Sequence, residues 1–269
     1  MNNKLVIGSL FTTLIFTCVS PALASSSQES SVSFPTLQVT TTELHLDPKI
    51  NREFEKFLSN KVSSTHSATY VPTLSDIQQF VDYAAKNGII ENTQVAKLNL
   101  TKELVRASMK TVVAAGRVAG YKLAAECLDH SLQDSPSEVI YSSGSWQSNL
   151  VKSSPVYQSM IGSVRNQLKN YPYSSYSTYG SMTLNNPKDL FLSLNKVNYS
   201  IGASKSNGTW TISVVVYDTY NFEYQNWMGA PGIYGNVVTI LNNYGAYAQS
   251  IGAVVPYKIW IFMQESFRP

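Results

Sequence analysis

Between Thr101 and Leu132 two apolar stripes share one helical repeat, and no other segment limits the fold so tightly. Leu104, Ala107, Ala114, Val118, Tyr121, Ala125, Leu128 and Leu132 make one stripe, and Val105, Met109, Val112, Gly116, Ala119, Leu123 and Cys127 make the other. At about 100° per residue they lie on opposite sides, so the segment reads as one helix, begun at Thr93 or Thr101, that must be buried on both faces. Ala114, Ala115, Gly116, Ala119, Gly120, Ala124 and Ala125 keep it slim, letting neighbours approach closely although each Gly costs ~1 kcal/mol against Ala.

The other elements gather around that helix. Asp47-Pro48 supplies a cap and a first-turn proline, and Ile50, Phe54, Phe57 and Leu58 repeat at helical spacing, giving a helix over 48–61. Ser75-Asp76-Ile77-Gln78 has the pattern of a capping box; Ile77, Phe80, Val81 and Ala84 form a stripe, and Asn87-Gly88 is a left-handed stop. Ser154-Pro155 starts a fourth helix with Tyr157, Ile161, Val164 and Leu168 on one face, and the Tyr- and Ser-rich stretch 171–179 reads as a loop. Beyond Gly180 the period becomes two. Asn186-Pro187 caps a short helical turn through Leu194; Val197, Tyr199 and Ile201 alternate as a strand; Ser206-Asn207-Gly208 turns the chain; and Trp210, Ile212, Val214 and Val216 line the returning strand. Val237, Ile240, Leu241, Tyr244 and Ala248 describe a helix stopped at Gly252, and 254–264, apolar on both faces, reads as a central or covered strand. The expectation is an α+β fold: a helical N-terminal half around a central buried helix, packed on a small antiparallel sheet, in a single domain over 44–269.

Residues 1–24 stand apart as a signal peptide. Lys4 gives the positive start, Leu5 to Val19 an apolar run too short to span a bilayer, and Ala22-Leu23-Ala24 a small-residue cleavage site, so a secreted product begins at Ser25. Ser- and Thr-rich 25–43 reads as a flexible arm. Cleavage removes Cys18 and leaves Cys127 alone, which excludes an internal disulfide; about 245 remaining residues are enough to hold a core without one. Loss of Lys4 lowers the formal charge from +3 to +2, too little for a nucleic-acid partner, and no later run of 18 apolar residues predicts stable membrane insertion.

Counting by twos from Trp210 puts Asp218, Tyr220 and Phe222 on the inward face of the hairpin strand. Asp218 thus enters the apolar side where the lining stops, and a carboxylate there needs hydrogen bonds from a turn backbone, a Tyr hydroxyl or a cation. As structure, it ties the following loop to the strand; as chemistry, Asp218 and Tyr220 form a catalytic pocket at the sheet rim, with Tyr224 and Trp227 as ligand-binding aromatics. Glu223 falls on the opposite side if the strand continues. Asp218-Thr219-Tyr220-Asn221-Phe222 resembles the Asp-x-Tyr-Asp-Phe segment of secreted or toxin-like bacterial domains and is similar to the active-site segment of colicin M-type bacteriocins, which implies lipid II hydrolysis. Asp218 and Tyr220 match that pattern; Asn221 stands where it has Asp, and no His-Arg pair follows in the loop.

The remaining reactive residues are sparse. His45, His66 and His130 have no metal-ligand spacing, so neither a metal nor a cofactor is expected. Cys127 and His130 share a helix face, which a small buried thiol and a helix-end His explain. Ser143-Gly144-Ser145-Trp146 lacks the spacing of a nucleophile elbow and reads as a turn. Asn99-Leu100-Thr101, Asn198-Tyr199-Ser200 and Asn207-Gly208-Thr209 match the glycosylation pattern, which matters only in a eukaryotic secretory host. Two functions remain: a non-enzymatic binding protein whose aromatic surface takes an extracellular protein or glycan, or an antibacterial effector hydrolysing cell-envelope material through Asp218.

Overall fold

The computed structural model describes residues 47–65, 74–223 and 242–269; residues 1–43, read above as signal peptide and arm, and His45, His66, Tyr224 and Trp227 lie outside them. The protein is α+β. In chain order the elements are α1 (Pro48–Thr65), α2 (Leu74–Lys86), α3 (Gln94–Val118), α4 (Lys122–Ser131), β1 (Val139–Tyr141), α5 (Trp146–Lys152), α6 (Pro155–Lys169), β2 (Ser175–Thr183), α7 (Lys188–Ser193), β3 (Lys196–Ser206), β4 (Thr209–Tyr220), α8 (242–250) and β5 (Tyr257–Phe267). Two compact units result: one from the chain before Gly120 together with Phe222–Val254, the other from Gly120–Asn221 with Val255–Pro269.

The first unit is helical. Asp47 caps α1 by accepting the Lys49 N–H at 2.7 Å, and Phe54 and Phe57 set their rings 4.8 and 5.5 Å from Phe80 of α2. Gly88, at φ +66°, ends α2 in the left-handed conformation that its lack of a Cβ permits, and Thr93 caps α3 by accepting the Ala96 N–H. Buried residues of α3, among them Leu100, Leu104, Val105, Met109 and Val113, spread over more than half its circumference, but the first stripe is not buried throughout: Ala107 and Ala114 are part-buried and Val118 is exposed. Arg106 of α3 donates to the Ala253 and Gly252 carbonyls just beyond α8 at 3.0 and 3.4 Å. In α8 a Cβ on Gly245 would collide with the Phe222 ring, whose backbone N–H donates to Gln249 at 3.0 Å.

The single helix expected from Thr93 or Thr101 to Leu132 is two. α3 ends at Val118, Gly120 takes φ +84°, and α4 begins at Lys122 under a cap from another part of the chain: Asp189 accepts the Leu123 and Ala124 N–H groups at 3.0 and 2.9 Å. Stripes on one repeat cannot reveal a break whose stabilising carboxylate arrives 66 residues later.

The second unit is built on a five-stranded sheet in the order β1-β5-β4-β3-β2. β1 runs parallel to β5 and every other pair is antiparallel, so the sheet is mixed where an antiparallel one was expected. β5 does lie inside the sheet, between β1 and β4. The stretch read as a loop at 171–179 supplies β2 instead: on an edge strand open to water, Ser, Thr and Tyr suffice and no apolar alternation appears. Pairing fixes the faces. Trp210, Ile212, Val214, Val216, Asp218 and Tyr220 of β4 share one face with Tyr257, Ile259, Ile261, Met263 and Glu265 of β5 and with Val139 and Tyr141 of β1. Helices lie against this inner face, since Tyr257 bonds the Cys127 carbonyl of α4, Tyr141 bonds Glu126 of α4, and Glu265 is held by Tyr157 and Arg165 of α6. The outer face carries Ile140, Tyr217, Trp260, Phe262 and Tyr179 among Ser and Thr.

Candidate functional site

Asp218 stands on the inner face one pleat from the end of β4. The last pair joining β4 to β3 is Asn198 with Tyr217, whereas β5 continues alongside through Ile259, Lys258 and Tyr257. Asp218 therefore has a paired residue on one side only, and it is half-buried while Val214, Val216 and Tyr220 of the same face are buried. Burial raises its carboxyl from an ordinary 3.8 to about 6, opposed by a hydrogen bond from the Thr219 backbone. The backbone partner found for it is the next residue of the strand, not a turn. The described residues bring no Lys or Arg into an ion pair with it.

Tyr220, the second residue of the proposed catalytic pair, is buried, and its ring centroid lies 5.5 Å from that of Tyr257. Burial drives its hydroxyl well above the ordinary tyrosine range, so it stays protonated and can donate but not act as a base. Tyr257 continues the cluster. Its hydroxyl donates to the Cys127 carbonyl at 3.0 Å and its ring meets His130 edge-on at 4.5 Å. The Cys127 thiol, buried in this wall, is pushed up to about 12 by desolvation, which leaves it a neutral apolar filler rather than a nucleophile. His130 is fixed on both nitrogens: Nε2 lies 2.8 Å from the Ser137 carbonyl, which can only accept, and Nδ1 lies 3.1 Å from the Gln133 amide nitrogen. The neutral tautomer protonated on Nε2 satisfies both contacts.

Glu223 lies beyond the end of β4 and is exposed, so the strand does not continue through it. Asn221 follows β4 directly and is exposed as well. Among the described residues no group of three or more His, Cys, Asp or Glu could hold a metal ion, and no helix is long and apolar enough to cross a membrane. Ser145 caps α5 by accepting the Ser148 N–H, with Gly144 at φ +88°, so 143–146 is a turn and cap.

Sequence reasoning missed Tyr257, Glu126 and the buried cap Asp189. Glu126 accepts from Tyr141 at 3.0 Å and Gln147 at 3.2 Å, so it too has found its donors. The signal for Tyr257 was available: it is the first residue of the last strand and lies opposite Tyr220.

No protein-family model matches this chain, and no curated protein matches it. Among solved structures, that of PaeM, a colicin M-like bacteriocin produced by Pseudomonas aeruginosa, aligns over 82% of this chain and 84% of that one at 14% identity and a TM-score of 0.29. A likeness of that size carries neither the fold nor the site.

Proposed function

We propose that the chain is a secreted antibacterial effector that hydrolyses cell-envelope material with Asp218 as its acid–base group. The observation that carries this is the condition of that carboxyl: on the inner face of a sheet, half-buried, past the last β3–β4 pair and without a cation in the described residues to neutralise it. A group that titrates near 6 exists in both forms around neutral pH, which is what proton transfer to and from an attacking water requires. Tyr220, always protonated, serves as a hydrogen-bond donor beside it. The match of Asp218 and Tyr220 to the colicin M-type segment supports an envelope substrate, and Asn221 leaves Asp218 as the sole carboxylate of that segment. Export fits the signal-peptide pattern of residues 1–24.

Purified protein lacking residues 1–24 is to be incubated with lipid-linked envelope precursors and with sensitive cells across pH 4.5–8. Release of a soluble fragment should rise with pH about a midpoint near 6, and Asp218→Asn should lower the rate about 100-fold or more while the circular dichroism spectrum is unchanged. Equal rates for the two folded proteins exclude the reading.

One observation favours a second reading, a binding module. On the outer face Tyr217 and Trp260 stack at 5.3 Å, with Ile140 and Phe262, 58% and 40% exposed, beside them. Rigid rings on a flat sheet suit a glycan or an extracellular protein. In that case Trp260→Ala abolishes retention on envelope polysaccharide and Asp218→Asn does not.

A further inference from the structure

We infer that Tyr257 is a positioning residue for Asp218, an inference that rests on the assignment of Asp218 as the acid–base group. Beyond the Asn198–Tyr217 pair the β3–β4 ladder stops, and β5 is the strand still paired with residues 218–220. The last rung of that ladder is Tyr220 opposite Tyr257. Strand ends fray unless side chains hold them, and Tyr257 is one that does so here. The Tyr257 ring lies between Tyr220 at 5.5 Å and His130 at 4.5 Å, and its hydroxyl reaches across to the Cys127 carbonyl of α4 at 3.0 Å.

That bond gives the buried hydroxyl an acceptor, since a carbonyl oxygen carries two lone pairs and the Cys127 carbonyl can take the Tyr257 hydroxyl beside its bond within the helix. Burial raises the Tyr257 hydroxyl far above the ordinary tyrosine range, so it remains a donor at every pH at which the protein is folded. The strand end is thereby riveted to α4, which Asp189 caps at its other end. Asp218 lies one pleat inside this rivet, on the same face, and the tightness of the rivet sets how much water reaches its carboxyl.

The test is Tyr257→Phe in the full secreted chain, read in three ways. The Asp218 carboxyl, followed by carbon NMR, should move its midpoint down from about 6 by roughly one unit as water enters. The amides of 218–220 should exchange with deuterium about 10-fold faster, while those around Ile201 and Val214 keep their rates. Any envelope hydrolysis should lose kcat with KM unchanged. A folded variant whose Asp218 midpoint and 218–220 exchange both equal those of the unaltered protein overturns the inference. Should Tyr257→Phe not fold, the unaltered chain decides: 218–220 amides exchanging as fast as an unstructured peptide overturn it, and protected ones support it. Loss of hydrolysis plays no part in the first two readouts, so a chain without hydrolytic activity fails the proposed function, whereas an unchanged Asp218 midpoint and unchanged exchange in the variant fail this inference.

Discussion

Glu265 and Asp218 point to the same face of the same sheet from opposite ends, and the protein treats them in opposite ways. Glu265, paired with Ile212, has a side chain only 11% exposed and is met by the Tyr157 hydroxyl at 3.1 Å, the Arg165 guanidinium and the Lys152 ammonium at 3.9 Å. Asp218, paired with Ile259, receives the Thr219 backbone and burial. Taking a carboxylate out of water costs several kcal/mol unless charge and hydrogen bonds return it, so the first group is compensated and the second is not. Two other acids of this unit side with Glu265: Asp189 holds two helix N–H groups, and Glu126 holds Tyr141 and Gln147. That difference in compensation is the condition on which the proposed acid–base role of Asp218 rests.

Removing the compensated groups tests that contrast most severely. Glu265→Ala leaves Arg165 and Lys152 facing each other over the inner face, and urea unfolding should show a loss of about 3 kcal/mol. A loss below about 1 kcal/mol would make Glu265 no better supported than Asp218 and dissolve the contrast. Asp189→Ala orphans the Leu123 and Ala124 N–H groups at the start of α4 and should cost about 2 kcal/mol, with amide exchange accelerating first in α4. Tyr141→Phe deletes one of the donors to half-buried Glu126 and leaves Gln147, so its cost should be about 1 kcal/mol in the same measurement.

How much of this could be read beforehand follows from the range over which each signal acts. The inner lining Trp210 to Val216 is written in alternation along one strand, and with it the inward placement of Asp218. Whether that carboxyl meets a cation is written nowhere nearby, because the cation can come from any element packed above. The same limit explains Glu265: the closing strand was read to Gln264, one residue short, and Arg165 sits off the Tyr157-Ile161-Val164-Leu168 stripe that identifies α6. The break at Gly120 escaped because a helix that stops and restarts keeps its stripes, and the cap that makes the restart stable is Asp189, far along the chain. β2 escaped because an edge strand needs no apolar face.

The smallest expected effect is read from the pH dependence of Asp218 alone. For Asp218 the folded value, about 6, lies above the ordinary 3.8 that the unfolded chain adopts. Between those values the native state keeps a proton the unfolded state has released, so stability falls as pH rises through the window; below it both states are protonated and above it the penalty is complete. Asp218→Asn carries no titrating group, so the stability of the unaltered protein minus that of the variant should decline from pH 4 to pH 7. Solvent at this half-exposed position holds the whole change to about 1 kcal/mol. Paired urea melts at several pH values measure it directly. A difference that instead grows with pH would mean the ionised carboxylate is the favoured form at that site, as a hidden cation would make it, and Asp218 would then join Glu265 among the compensated acids.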